Sequence, residues 1–139
     1  MKEPALKFSE LLNHKESLYS QLDRLWNFYI GVTTVTGGWL FSAKEGITTA
    51  QCAGLSGALL LFYFSNYWGV QSCLHRLEAS LREMISLLKA GNISLASPEF
   101  ATQINLELKD SIARQKLTKW IHIPIYVFIV LIAWSLRKG

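Results

Sequence analysis

Residues 43–68, AKEGITTAQCAGLSGALLLFYFSNYW, decide how this chain is read. A polar break, AKEGI, precedes a run from Ile47 to Tyr67 that holds no Asp, Glu, Lys or Arg. The run is greasy enough for a bilayer, yet it is studded with Gly, Ala, Ser, Thr and Gln. A helix that merely faces lipid has no use for small hydroxyl residues. A helix that packs closely on another one does. Lipid tails are as apolar as Leu, so close backbone approach and interhelical hydrogen bonds must supply the attraction. The stretch predicts a membrane-spanning helix with a packing face or a pore face.

Two more windows are free of charge, Leu25–Ala43 and Trp120–Leu136. Windows of 17–21 residues cover ~26–32 Å of helix, the thickness of a hydrocarbon core. Charged residues make up 17% of the chain, where a soluble domain averages about a quarter. The expected fold is an all-α integral membrane protein with three transmembrane helices, 25–43, 47–67 and 120–136. The third window is the shortest and holds Pro124, which makes it the weakest of the three and leaves open a segment that dips in without crossing.

Tryptophan marks the ends of these windows. Trp26, Trp68 and Trp120 fall at one end, Trp39 and Trp134 toward the other. Indole rings gather at headgroup level, so all five read as interface anchors. With three crossings and the N-terminus inside, 11 of the Lys and Arg residues face the cytoplasm and 3 lie outside. The positive-inside rule then places the protein in the cell membrane with its N-terminus cytoplasmic. The net charge of +4 follows from this asymmetry and implies no nucleic acid.

The polar segments are helical by pattern too. Phe8, Leu11, Leu18, Leu22 and Leu25 recur at helical spacing, interrupted by Lys15, so one helix is expected from Ala5 to Ala43, its residues 5–24 cytoplasmic. Val70, Leu74, Leu77, Leu81, Met84 and Leu88 alternate steps of four and three, a heptad seam. The second helix therefore extends from Ile47 to Ala90, stopped by Gly91-Asn92. Ser97-Pro98-Glu99 fits the start of a third, which leads into the last window with a kink near Pro124. Segments 68–90 and 98–119 form a cytoplasmic helical hairpin that joins 5–24 in a bundle, and residues 1–139 make one domain.

Small residues line faces of the first two windows: Asn27, Gly31, Thr34 and Gly38 in one, Gly54 and Ala58 in the other, with Gln51 and Asn66 as further polar candidates. These residues pack the two helices together within one chain, or they line a pore or subunit interface between copies. Three helices alone enclose no water path, so a conduit requires several copies. The seam Leu74, Leu77, Leu81, Met84 and Leu88 is the expected oligomer or partner surface.

Signals of chemistry are weak. His14, His75 and His122 are isolated, and His122 reads as a solvated interfacial residue. Cys52 and Cys73 sit ~31 Å apart on one helix and read as inert packing thiols. No zinc spacing, phosphate loop or nucleophile–base pair occurs, so the chain is expected to be no enzyme and to need no cofactor or metal. The layout of Ala5–Ala90, a transmembrane hairpin carrying cytoplasmic helices, resembles small bacterial membrane effectors of antiviral signalling systems. That resemblance implies copies that assemble in the membrane. The expected function is a homo-oligomer that conducts or permeabilises on a cytoplasmic trigger, whether a soluble protein or a small ligand. The alternative is a non-conducting anchor or regulatory subunit that recruits a soluble partner.

Overall fold

Long apolar periodicity should produce long helices, and three are found among the described residues. In the computed structural model α1 spans Lys2–Ser42, α2 Thr49–Lys89 and α3 Pro98–Ser135. The structure describes residues 2–43, 46–90 and 98–137. The expected stop at Gly91-Asn92, the cap at Ser97 and most of the turn at Lys44–Gly46 lie outside those residues. The bounds of all three helices match the expected ones within three residues. Pro98 is the first helical position of α3, where its missing N–H costs nothing. Pro124 sits inside α3 without ending it.

The start of α2 has a local cause. Thr48 accepts a hydrogen bond from the Gln51 N–H at Oγ1 (3.2 Å), and Gln51 Oε1 accepts one from the Thr48 N–H (2.9 Å). This reciprocal pair is a capping box, and it satisfies two donors that the first turn would leave free. Gly46 precedes it with φ of 78°, a backbone conformation that a side chain would disfavour.

The chain divides into two compact units, and each of the three helices contributes to both. The charged unit comprises residues 1–23 and 71–116, the apolar unit residues 24–70 and 117–139. In the charged unit the three helical segments enclose Leu18, Leu22, Leu74, Leu77, Leu81, Met84 and Ile104, each no more than 2% exposed. The seam residues Leu74, Leu77, Leu81 and Met84 are thus buried by the chain itself, and Leu88 is half-buried. This corrects the expectation of an oligomer or partner seam: α1 and α3 of the same chain cover it. Heptad spacing specifies an apolar stripe and leaves the identity of the covering helix open.

In the apolar unit the core is Tyr29, Leu40, Ile47, Cys52, Leu59, Tyr63, Ile129 and Ala133. Its three segments run up, down and up. Asn66 meets Leu25 and His122 at one end, and the Ile47 N–H bonds the Leu136 carbonyl (3.1 Å) at the other. The α3 segment therefore matches the α1–α2 hairpin along its whole length. Its 19 residues from Leu117 to Ser135 cover about 28 Å.

The surface of this unit is unusual for a protein in water. Of seventeen exposed large hydrophobic residues among those described, sixteen belong to it; Leu106 is the exception. By hydropathy, however, one described helix is long and apolar enough to cross a membrane, and it is α3. Its best window has a mean hydropathy of 1.7 and is only 22% buried. The expectation ranked this segment weakest, and the ranking is reversed. Ile, Val, Leu and Phe fill residues 121–136, while Gly, Ser, Thr and Asn dilute the other two windows.

Candidate functional site

The apolar unit carries a buried polar cluster at the end where Leu25, Asn66 and His122 meet. Asn66 is 5% exposed and His122 is 3% exposed. The Asn66 Nδ2 amide donates to the Leu25 carbonyl of α1 (3.0 Å), and Asn66 Oδ1 lies 3.1 Å from His122 Nε2 of α3. His122 Nδ1 lies 3.0 Å from the Thr118 carbonyl, one turn back. One amide and one imidazole thus tie three helices together. A neutral imidazole has a single N–H and can donate to just one of these two oxygens, whereas an imidazolium donates to both.

Aromatic rings wall the cluster in. Tyr29 lies against the imidazole with centroids 4.4 Å apart, Trp26 at 5.5 Å and Tyr67 at 5.8 Å. Further along, Thr33 Oγ1 and the Tyr63 hydroxyl share a 2.9 Å hydrogen bond between α1 and α2. The Tyr29 hydroxyl is buried without a hydrogen-bond partner among the described residues, a defect that costs about 1–3 kcal/mol where water is excluded. The cysteine thiols each donate to a carbonyl of another helix, Cys52 to Ala133 (3.3 Å) and Cys73 to Leu18 (3.2 Å).

His122 therefore departs from the expected solvated residue. Its spacing of seven and eleven to the buried Ile129 and Ala133 puts it on the inward face of α3. Two polar residues at the same end of charge-free windows was the available signal. Buried polar groups away from water need protein partners, and these two supply them to each other.

The small-residue faces point outward. Asn27, Gly31, Thr34, Gly38, Gln51, Gly54 and Ala58 are all exposed, and of the eight expected residues Asn66 alone is buried. A Cβ added at Gly31, Gly37, Gly38, Gly54 or Gly57 would meet nothing within 4 Å. Packing within the chain runs instead through rings, as in Phe28 on Phe62 (5.5 Å) and Tyr29 on Tyr63 (5.2 Å). Among the described helical glycines, Gly69 differs: a Cβ added there would lie 3.4 Å from Leu25 Cδ2. Gln51 works in the capping box of α2, an assignment that the spelling T-x-x-Q at 48–51 announces. Among the tryptophans, Trp39, Trp68, Trp120 and Trp134 are exposed, whereas Trp26 turns toward the core and meets His122.

The charged unit holds a different polar centre. Lys15 Nζ donates to Glu107 Oε2 (3.0 Å) with both side chains largely buried, and the Tyr19 hydroxyl approaches the same oxygen at 3.4 Å. Burial, reinforced by the Glu107 charge, pushes the Tyr19 phenol up to about 12. The Gln115 amide donates to Glu78 Oε2 (2.9 Å) and Arg82 to Oε1 (2.8 Å). These hydrogen bonds hold the Glu78 carboxyl below its usual range, the Gln115 bond foremost. Burial raises the Cys73 thiol and so suppresses the thiolate, against a smaller lowering by Arg76. Lys15, which interrupts the apolar pattern of α1, is thereby explained. Among the described residues no group of three His, Cys, Asp or Glu could hold a metal.

Comparison of the chain with family models, with curated proteins and with solved structures found no match.

Proposed function

We propose that the chain is a small homo-oligomeric protein of the cell membrane that conducts or permeabilises when its charged unit is triggered from the cytoplasm. The apolar unit lies in the bilayer with all three segments crossing, and the N-terminus is cytoplasmic. Supporting the three crossings, α3 accompanies the α1–α2 hairpin end to end, so the segments share one solvent. Supporting the orientation, the described Lys and Arg residues concentrate on the charged unit.

The observation that carries assembly is the open glycine faces of α1 and α2. A bilayer rewards close backbone approach, and a single chain leaves these faces unused. Asn27 adds to this: its amide is exposed on the apolar unit and has no partner among the described residues. In hydrocarbon such an amide needs either a second copy or a water-filled path. The layout resemblance to antiviral membrane effectors supports a defence role as the particular form of this function.

The test is native mass spectrometry in detergent together with dye release from liposomes. The wild type is expected as a multimer. Gly31→Leu and Gly54→Leu should be monomeric and non-leaking with unchanged helicity, because each side chain has room within one chain. A wild-type monomer that releases no dye under any trigger contradicts the proposal, and a stoichiometric soluble partner on that monomer would return the anchor reading.

A further inference from the structure

The wall that α2 and α3 share in the apolar unit is not flush. A groove of about 610 Å³ lies between the two segments, lined from α3 by Lys119, Ile123 and Val127 and from α2 by Leu60, Phe64 and Tyr67. The α3 residues repeat at steps of four, so the groove follows one helix face for eight residues, about 12 Å. Leu60, Phe64, Ile123 and Val127 are exposed along its rim, so it opens sideways onto the apolar surface. The lining is almost wholly carbon, with one cation at the end. Lys119 has no partner among the described residues. Trp68 and Trp120 stand exposed at that same end.

We propose that this groove binds one anionic phospholipid, with an acyl chain along Ile123, Val127 and Phe64 and the phosphate on Lys119. The proposal rests on the reading that the apolar unit lies in the bilayer. Three features select a lipid. The free cation sits at the end that two tryptophans mark as headgroup level, where a basic side chain between helices recruits anionic headgroups. The groove is walled by aliphatic side chains and rings and runs lengthwise along α3, which suits an acyl chain. A second helix needs small residues for close approach, and those lie on the glycine faces elsewhere in the unit.

The experiment is lipid titration of the detergent-solubilised full chain by native mass spectrometry, with phosphatidylglycerol and phosphatidylcholine compared. The wild type should retain one phosphatidylglycerol per chain in preference to phosphatidylcholine. Lys119→Ala should weaken phosphatidylglycerol about fivefold and leave phosphatidylcholine unchanged. Val127→Trp, which fills the groove, should lower retention of both. Leu131→Trp, exposed but outside the groove, should change neither. Equal retention of the two lipids, or a preference that survives Lys119→Ala, overturns the proposal. So does a disulfide-linked dimer of Val127→Cys, which would give the groove to a second copy. Resistance of the wild type to alkaline carbonate extraction reports bilayer insertion separately, so failure of the lipid site and failure of the membrane reading are told apart.

Discussion

The two units are built from the same three helices and solve opposite problems. In the charged unit the interior is Leu, Met and Ile and the surface carries Lys, Arg, Glu and Asp, including the pairs Lys7–Glu83, Arg82–Glu78 and Arg114–Asp110. In the apolar unit sixteen of the described large hydrophobic side chains face outward around a core of Leu, Ile and Tyr, and the buried polar side chains Asn66 and His122 are paired with each other. Water rewards the first arrangement by removing apolar area from contact with it. Hydrocarbon rewards the second, because polar groups there must find protein partners while apolar groups need none. The difference between the units lies in what each helix exposes, charge in one and large apolar side chains in the other, and the proposed membrane setting makes it a difference of solvent.

Core substitution in the charged unit should have the largest effect. Leu81→Ala removes a side chain that is fully buried and should cost about 2–5 kcal/mol in thermal unfolding followed by circular dichroism. A surface charge should then separate the units. Phe128→Arg, at an exposed site of the apolar unit, should cost about 2.5–3.5 kcal/mol of membrane insertion. Leu106→Arg, equally exposed in the charged unit, should stay within about 0.5 kcal/mol. Carbonate extraction and unfolding read the two, and equal penalties would erase the contrast.

Buried polar ties come next. Asn66→Leu leaves a ring nitrogen of His122 without its partner and should cost about 1–3 kcal/mol of thermal stability in detergent. The smallest effect belongs to Glu78. Its folded pKa is depressed, so its contribution is present above the unfolded carboxylate value and is lost as pH falls through the lower folded value. Glu78→Gln should flatten that acid limb in a stability-versus-pH series, by about 0.5 kcal/mol at neutral pH.

Much of the backbone was legible from sequence. The three helices follow from apolar spacing and from charge-free windows, and Pro98 announces where α3 begins. What spacing leaves open is the partner of each face. Leu77 and Leu81 form a stripe that either a second copy or the chain's own helices satisfy, and only the register of α1 and α3 decides. Gly31 and Gly54 read equally well as internal or external packing residues, and ring contacts such as Phe28–Phe62 take the internal role. The His122–Asn66 pair joins residues 56 apart in sequence, so it depends on the alignment of two helices that no local pattern encodes. Lys119 reads as one positive charge among many until the groove beside it is seen.

All five tryptophans belong to the apolar unit, so intrinsic fluorescence reports its solvent without any substitution. The most direct test of a hydrocarbon environment is quenching of that fluorescence in vesicles by lipids brominated along their acyl chains, compared with quenching by aqueous iodide. Strong quenching by the brominated lipids and weak quenching by iodide is the predicted result. Full accessibility to iodide with no response to brominated lipid would contradict it.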